Sequence, residues 1–133
     1  MKIQFRYCGP WSLKPLESLA SEYQKRISHY FPCELVAFKK KKPGEFWVLL
    51  DLRGKTFDSK AFAKWIEEKS IRSVKNICFC VGPAEGFSPA DLTQADFVLS
   101  LSPMTLQHEL ALVVLLEQIY RACTILRGEP YHK

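Results

Sequence analysis

The sequence predicts an α/β domain with a mostly parallel sheet flanked by helices. Short stretches that are apolar, or that alternate apolar with polar residues, have the pattern of strands, and longer stretches repeat apolar residues at helical spacing. The two kinds of stretch interleave along the chain, which is the order typical of a parallel α/β sheet. The 133 residues suit one domain and contain no internal repeat, so we expect a single domain over residues 1–133.

The first half of the chain predicts three strands and one helix. Apolar residues at alternate positions open the chain, and Cys8-Gly9-Pro10 breaks that strand. Apolar residues from Leu16 to Tyr30 recur at helical spacing until Phe31-Pro32 ends the helix. The predicted elements are a strand over residues 3–7, a helix over 15–30, strands over 34–38 and 46–50, and a lysine-rich loop over 39–44 between the last two.

The second half predicts three helices and two strands. Asp58 or Ser59 can cap the first of these helices, and Pro89 can start the second. The long last helix carries apolar residues on more than one face, and we expect a partner surface to cover the excess. The predicted elements are helices over residues 59–69, 89–93 and 108–126, strands over 76–81 and 97–99, and loops over 82–89 and 100–105.

Composition and charge narrow the function class. The longest apolar run, Leu110 to Leu116, has seven residues, whereas a transmembrane helix needs about 20. The N-terminus lacks the apolar region of a secretory signal, so we expect a cytoplasmic protein. The formal charge of +5 favours a nucleic-acid partner without requiring one. Candidate phosphate contacts are Lys39 to Lys42, Arg53 and Lys55, with a solvated turn as the alternative for the lysine run.

The five cysteines predict reduced structural thiols and no metal site. Their number is odd, they are scattered, and three of them lie in apolar segments. Cys78-Phe79-Cys80 lacks the C-x-x-C spacing of zinc and redox sites, and in a strand both sulfurs point to the same face. We therefore expect no bound metal.

Three loops are the expected place for a ligand, because open α/β sheets bind ligands beyond the carboxyl ends of their strands. The loops after Leu50, Val81 and Leu99 should converge there. Gly82 and Gly86 would let backbone approach a ligand, but the loop matches no phosphate-binding motif and Pro83 has no N–H. A plain turn remains the alternative reading of this loop.

The histidines and the C-terminal tail offer few groups for chemistry. His29 and His108 are expected at helix ends, where capping or the helix dipole explains them. Tyr131, His132 and Lys133 put an aromatic ring, an imidazole and a cation in succession after a proline. Fraying of the terminus is the alternative to a functional tail.

Five motifs extend over most of the chain. They are LDLRGK at residues 50–55, VGPAEG at 81–86, LSLSPMTLQHEL at 99–110, EQIYRA at 117–122 and LRGEPYHK at 126–133. In this order they resemble the ribosomal RNA large-subunit methyltransferase H family of the SPOUT superfamily, and the similarity extends from MKIQF to the last residue.

The resemblance implies an enzyme that uses S-adenosylmethionine to methylate N3 of a pseudouridine in the 23S RNA of the large ribosomal subunit. The implied partners are ribosomal RNA, in the large subunit or the assembled ribosome, and a second copy of the chain in a homodimer. A C-terminal trefoil knot is also implied, which hydrophobic periodicity cannot indicate.

The resemblance also implies a cofactor site in the three loops singled out above. Apolar side chains and backbone amides there suit an adenine and a sulfonium better than phosphates. Carried over position by position, the cofactor residues are Leu50, Gly82, Leu101, Ser102, Pro103, Met104, Thr105 and Leu106.

In the family, the last three residues help to complete an active site assembled across the dimer. The N3 imide must lose its proton to become a nucleophile, so a base or proton path and positive charge are required. We assign Arg121 and Lys133 to electrostatics or phosphate contact, Tyr131 to stacking or positioning of the base, and His132 to a proton relay.

The chain departs from the family pattern in two places. Residues 39–45 bridge directly a segment where family members carry an additional helix. Pro83 stands where the family commonly has a second glycine, which removes one backbone donor. A noncatalytic RNA-binding or ribosome-associated paralogue is therefore the alternative function, and a flavodoxin-like nucleotide-binding enzyme is a third.

Overall fold

Five strands and four helices interleave along the chain, as the sequence predicts, and only the second and third strands follow each other without a helix between them. The computed structural model describes all residues from Met1 to Lys133. The elements are β1 (Lys2–Tyr7), α1 (Lys14–Ile27), β2 (Cys33–Ala37), β3 (Glu45–Lys55), α2 (Ser59–Ile71), β4 (Asn76–Val81), α3 (Pro89–Gln94), β5 (Phe97–Leu99) and α4 (His108–Arg127).

The strands form one parallel sheet in the order β2-β1-β4-β3-β5. Phe79 at the centre of β4 pairs with Phe5 of β1 on one side and with Val48 of β3 on the other. Since every pair is parallel, all five strands end at the same edge of the sheet. The predicted class, a parallel sheet flanked by helices, is confirmed.

Successive side chains of the central strands point to opposite faces of the sheet, and both faces are apolar. One face packs beneath α1, α2 and α4, and the other packs against Phe87 and α3. The first core contains Ile3, Phe5, Val48, Ile77 and Phe79, and the second contains Trp47, Leu49, Cys78, Cys80 and Phe87.

All five cysteines are free thiols. Cys78 and Cys80 lie on the same face of β4, as expected for alternate positions of a strand. Burial raises the pKa of Cys78 to about 11 and that of Cys80 to about 12. A thiol with so high a pKa is unreactive at neutral pH, and these two residues act as core residues.

The first helix is shorter than predicted. It ends at Ile27, because the next residues form tighter i to i−3 bonds: Tyr30 N–H donates to Ile27 C=O at 2.8 Å. Tyr30 thereby leaves the helix, and its hydroxyl donates to Glu129 at 2.7 Å. The apolar period that extended the prediction to Tyr30 reflects this contact with the end of the chain.

The third strand is longer than predicted, reaching Lys55 instead of Leu50. Leu50 and Lys55 both pair with Leu99 of β5, so the residues between them bulge away from the ladder. Gly54 lies against the β5 backbone: a Cβ there would stand 2.6 Å from the carbonyl carbon and oxygen of Val98. The strand continues through these polar residues because its backbone pairs with β5. A prediction from the apolar pattern therefore misses this part of the strand.

Much of the apolar surface of the last helix, for which we expect a partner surface, is covered within the chain. α1 and α2 both pack against α4 within the chain. Leu112, Leu115, Leu116 and Ile119 are almost fully buried by these contacts. Most apolar residues of α4 are therefore buried inside one protomer, whereas Leu110 in its first turn stays 39% exposed.

Candidate active site

A cleft opens where the sheet argument predicts it, at the carboxyl edge of the strands. The loops after Leu50, Val81 and Leu99 converge there around a volume of about 620 Å³. Seven of the eight predicted cofactor residues line the cleft, and Pro103 does not. The cleft is lined by residues 50–53, 81–87, 99–102 and 104–108, together with Ala111.

The glycine- and proline-rich loop is both a turn and a wall of this cleft. Gly86 N–H donates to Pro83 C=O at 2.9 Å, and Gly86 has a φ of +86°, which suits glycine. A Cβ on Gly82 would stand 3.0 Å from the Phe87 ring, so the ring fills the space on that side of the glycine. The loop is thus folded back onto the second core.

The loop after β5 is held by its own polar side chains. The hydroxyl of Ser100 donates to the carbonyl of Ser102 at 3.0 Å, and the Ser102 hydroxyl accepts from Met104 N–H at 3.0 Å. The backbone N–H groups of Leu101 and Leu106 have no acceptor within the protein. Both residues line the cleft.

Charges are few in the cleft, and two of them neutralise each other. Arg53 donates to both carboxylate oxygens of Asp51, at 2.8 and 2.9 Å. These hydrogen bonds hold the pKa of Asp51 below its ordinary value. With largely apolar walls and free backbone donors, the cleft suits a heteroaromatic ring better than a phosphate group.

Glu109, which sequence reasoning missed, ties the first turn of α4 to the loop before α1. Its carboxylate accepts from the backbone N–H groups of Ser12 at 2.7 Å and Leu13 at 3.0 Å, and from the Ser12 hydroxyl at 3.0 Å. These bonds lower the pKa of Glu109. The only sequence signal was an acid in the first turn of a helix, where the dipole favours one.

The tail folds onto the C-terminal half of α4. The Tyr131 ring meets Tyr120 edge-on at 4.7 Å, and the Tyr131 hydroxyl donates to Glu117 at 3.2 Å. Arg121 lies 3.0 Å from Nδ1 of His132 and 4.9 Å from the Tyr131 ring centre. Tyr131 and His132 are half-buried, so the structure contains a docked tail in place of a frayed one.

Protonation states follow from these contacts. Burial, with hydrogen bonds to Tyr23 and Glu117, raises the pKa of Tyr131 well above its ordinary value, so Tyr131 keeps its proton at neutral pH. A guanidinium can only donate, so Nδ1 of His132 accepts from Arg121 and the proton of the neutral ring lies on Nε2. His132 then presents a donor, and this arrangement does not favour the proton relay that we expected.

The cleft and the tail cluster lie at opposite ends of α4. His108, the first residue of the helix, lines the cleft, whereas Arg121 is thirteen residues further on. At a rise of about 1.5 Å per residue, the two are separated by about 20 Å along the helix axis. One chain therefore does not join the predicted cofactor residues to the predicted catalytic residues.

The lysine-rich loop has a structural role in addition to its charge. Lys40 pairs with Asp91 at 2.7 Å and Lys41 pairs with Asp96 at 2.8 Å, which ties the loop to α3 and the turn after it. Lys39 and Lys42 are exposed and have no carboxylate partner. Of the four lysines, these two have their charge available for phosphate contact.

Metal coordination and membrane insertion each require recognisable structural features. No group of three His, Cys, Asp or Glu side chains comes together in a way that could hold a metal ion. None of the helices combines the length and the apolar composition of a membrane span.

The chain as a whole is similar to a known group of proteins. A family profile described as "Predicted SPOUT methyltransferase" matches residues 1–132. The solved structure of a probable methylase family protein from Haemophilus influenzae Rd KW20 superposes with a TM-score of 0.61 at 10% identity, covering 98% of this chain and 70% of that one. At so low an identity, this likeness shows a shared fold.

Relatives named "Ribosomal RNA large subunit methyltransferase H" match most of the chain. The relative from Coprothermobacter proteolyticus is 42% identical over 118 residues, covering 84% of this chain and 85% of its own length. The relative from Koribacter versatilis is 38% identical over 143 aligned positions, covering 99% and 98%. The second alignment is longer than the 133 residues of this chain, so that relative has residues that this chain lacks.

Proposed function

Because this chain belongs to the SPOUT methyltransferases, within the ribosomal RNA large-subunit methyltransferase H family, we propose that it methylates N3 of a pseudouridine in 23S ribosomal RNA with S-adenosylmethionine. The observation that carries the proposal is the largely apolar cleft formed by the loops after Leu50, Val81 and Leu99. Family membership also implies the trefoil knot. The enzyme would act in the cytoplasm, on the large subunit or the assembled ribosome.

The residues of the cleft fit this cofactor. Leu50, Leu101 and Leu106 provide apolar walls for an adenine, and the N–H groups of Leu101 and Leu106 provide donors for its ring nitrogens. The cleft volume of about 620 Å³ lies within the range of about 300–1,000 Å³ usual for ligand pockets. When bound, S-adenosylmethionine supplies an electrophilic methyl group on a sulfonium.

The tail cluster supplies charge and donors for the base. Pseudouridine N3 would release its proton to solvent water and carry negative charge, which the Lys133 ammonium would favour, while the Arg121 guanidinium, paired with Glu117, would orient His132 beside it. The Nε2–H of His132 is a donor for an imide oxygen, where the same charge is delocalised. The protonated hydroxyl of Tyr131 is bonded to Glu117, so this residue contributes its ring and its position.

A homodimer brings the two halves of the proposed site together. In one chain about 20 Å of helix separates the tail cluster from the cleft. We infer that the tail of one protomer reaches the cleft of its partner, so that each dimer has two composite sites. Exposed apolar side chains near the cleft, namely Leu13, Leu52, Met104 and Leu110, are candidates for this interface.

The proposal is tested by incubating the protein with radiolabelled S-adenosylmethionine and ribosomes, and then digesting the RNA for nucleoside mass spectrometry. We expect 3-methylpseudouridine as the labelled product. In vitro transcribed 23S RNA, with uridine in place of pseudouridine, is the matched control and should stay unlabelled. Label on a different nucleoside would contradict the N3 specificity.

Calorimetry with S-adenosylmethionine distinguishes the noncatalytic alternative. The dimeric protein should bind the cofactor in the cleft with a stoichiometry of one per chain. A folded dimer that does not bind the cofactor would favour the alternative function. The protein would then be an RNA-binding paralogue that has lost methyl transfer through Pro83 and the short segment over residues 39–45.

A further inference from the structure

Glu117 lies at the centre of the tail cluster, although no motif reasoning assigns it a role. Its Oε1 accepts from Nη2 of Arg121 at 2.7 Å, from Nε of Arg121 at 3.0 Å and from the Tyr131 hydroxyl at 3.2 Å. Its Oε2 accepts from the Gln118 amide at 2.9 Å, and the Gln118 carbonyl oxygen accepts from the Ser59 hydroxyl at 2.8 Å. A continuous chain of hydrogen bonds thus extends from α2 to the tail.

This arrangement differs from an ordinary surface ion pair. Glu22 and Arg26 on α1 have the same i,i+4 spacing at 3.1 Å, but their side chains are 52% and 43% exposed. The corresponding exposures for Glu117 and Arg121 are 20% and 23%. Exposed pairs contribute little to stability, whereas a shielded carboxylate that collects several donors orients them.

The contacts determine which way the Arg121 guanidinium points. Because the guanidinium is planar and rigid, fixing Nε and Nη2 on one carboxylate oxygen also fixes Nη1, which lies 3.0 Å from Nδ1 of His132. The tautomer of His132 therefore depends on Arg121, whose orientation depends on Glu117. Without the carboxylate, Arg121 would be free to adopt other rotamers and Tyr131 would lose the acceptor for its hydroxyl.

We propose that Glu117 is a positioning residue for methyl transfer: its carboxylate orients Arg121 and Tyr131, and through Arg121 it orients His132. This inference rests on the proposed function and names a residue of the same site. It adds no group that touches the RNA, because Glu117 acts only through its neighbours.

The test compares Glu117→Gln with Glu22→Gln, a matched control that removes the carboxylate of the exposed pair. With saturating S-adenosylmethionine, Glu117→Gln should lower kcat by about tenfold or more and change the KM for RNA by less than about twofold, because positioning affects the transition state more than binding. Glu22→Gln should keep both values. The melting temperature and the dimer mass of both variants should match those of the wild type.

A double-mutant cycle with Tyr131→Phe separates positioning from a general structural effect. If Glu117 acts through its neighbours, the double variant should be only slightly less active than the less active of the two single variants. Independent, multiplicative losses would overturn the inference, as would a wild-type kcat for Glu117→Gln or a loss that appears only in KM. An active wild type with an active Glu117→Gln rejects this inference alone, whereas an inactive wild type rejects the proposed function as well.

Discussion

The two ends of α4 are built from different chemical groups. At its first turn, the cleft consists of loop backbone, glycines and apolar side chains, and its Asp51–Arg53 pair is internally neutralised. Near its last turns, the tail cluster consists of Arg121, Tyr131 and His132 around the Glu117 carboxylate. Both ends thus contain a paired arginine, and the tail cluster differs in having the Nε2–H of His132 and the adjacent Lys133 ammonium, which we propose for a group that develops negative charge.

The difference implies different sensitivities to mutation. Backbone and loop packing hold the cleft, so a methyl group added where two backbones meet, as at Gly54 beside β5, should disturb the cleft wall and the fold together. Side-chain hydrogen bonds hold the tail cluster, so changes there should reduce catalysis with little effect on folding. Substitutions at the two ends of α4 would therefore differ in what they affect, and the largest effect on stability is expected at Gly54.

Gly54→Ala should cause the largest loss of folding stability. Its Cβ would stand 2.6 Å from the Val98 carbonyl, and backbone atoms cannot move aside as a flexible side chain can. We expect a loss of about 3 kcal/mol or more in the free energy of unfolding, at the upper end of overpacking costs. Urea unfolding measures the effect. Gly82→Ala, whose Cβ meets only the Phe87 ring, is the control, and an equal loss in both variants would contradict the argument.

Deleting residues 131–133 should abolish methyl transfer and leave the fold largely intact. The deletion removes the Tyr131 contacts with Tyr120 and Glu117, which should cost about 1 kcal/mol. Cofactor binding by calorimetry should persist, because the residues that we assign to the cofactor all belong to the cleft loops and none to the tail. Full activity of the truncated protein would show that the tail has no role in catalysis.

Mixing two inactive variants tests whether the site is shared between protomers. Gly82→Val should displace Phe87 and with it the cleft wall, whereas the tail-deleted chain keeps an intact cleft. A heterodimer of the two has one complete composite site, so co-refolded mixtures should regain about a quarter of the wild-type activity. No recovery in confirmed heterodimers would mean that each site is built from a single chain.

Much of this architecture could be predicted from the sequence, and the exceptions have physical causes. β4 and β5 match the prediction to the residue, because apolar runs with clear boundaries specify buried strands. The extension of β3 to Lys55 was missed because its residues are polar and are held by pairing with Leu99. The role of Glu117 was missed because an acidic residue on a helix usually faces solvent.

The lysine-rich loop divides into two functional pairs. Affinity for 23S RNA should fall with rising salt, and the double variant Lys39→Gln with Lys42→Gln should make this dependence shallower. The slope of log affinity against log salt should decrease in magnitude by about 1 per lysine, because these exposed charges are free to displace counterions. Lys40→Gln with Lys41→Gln should mainly lower thermal stability, since these residues pair with Asp91 and Asp96. Equal slopes for the two double variants would remove the distinction.

The smallest expected effect is the pH dependence that Glu109 gives to folding. Its pKa is lowered in the folded state by bonds from Ser12 and Leu13, so it contributes stability above its unfolded pKa and loses that contribution as the pH falls through the folded pKa. Glu109→Gln should therefore melt earlier than the wild type at pH 7, and the two melting temperatures should converge as the solution becomes acidic. Calorimetric melts between neutral and acid pH would measure this convergence.

Glu22→Gln removes a carboxylate that has no backbone donors, so it should show a much smaller difference at every pH. A gap for Glu109→Gln that stays constant with pH would mean that the contribution of this side chain comes from packing. A shrinking gap would show that the charge of Glu109 holds the start of α4, and with it one wall of the cleft, against the loop before α1.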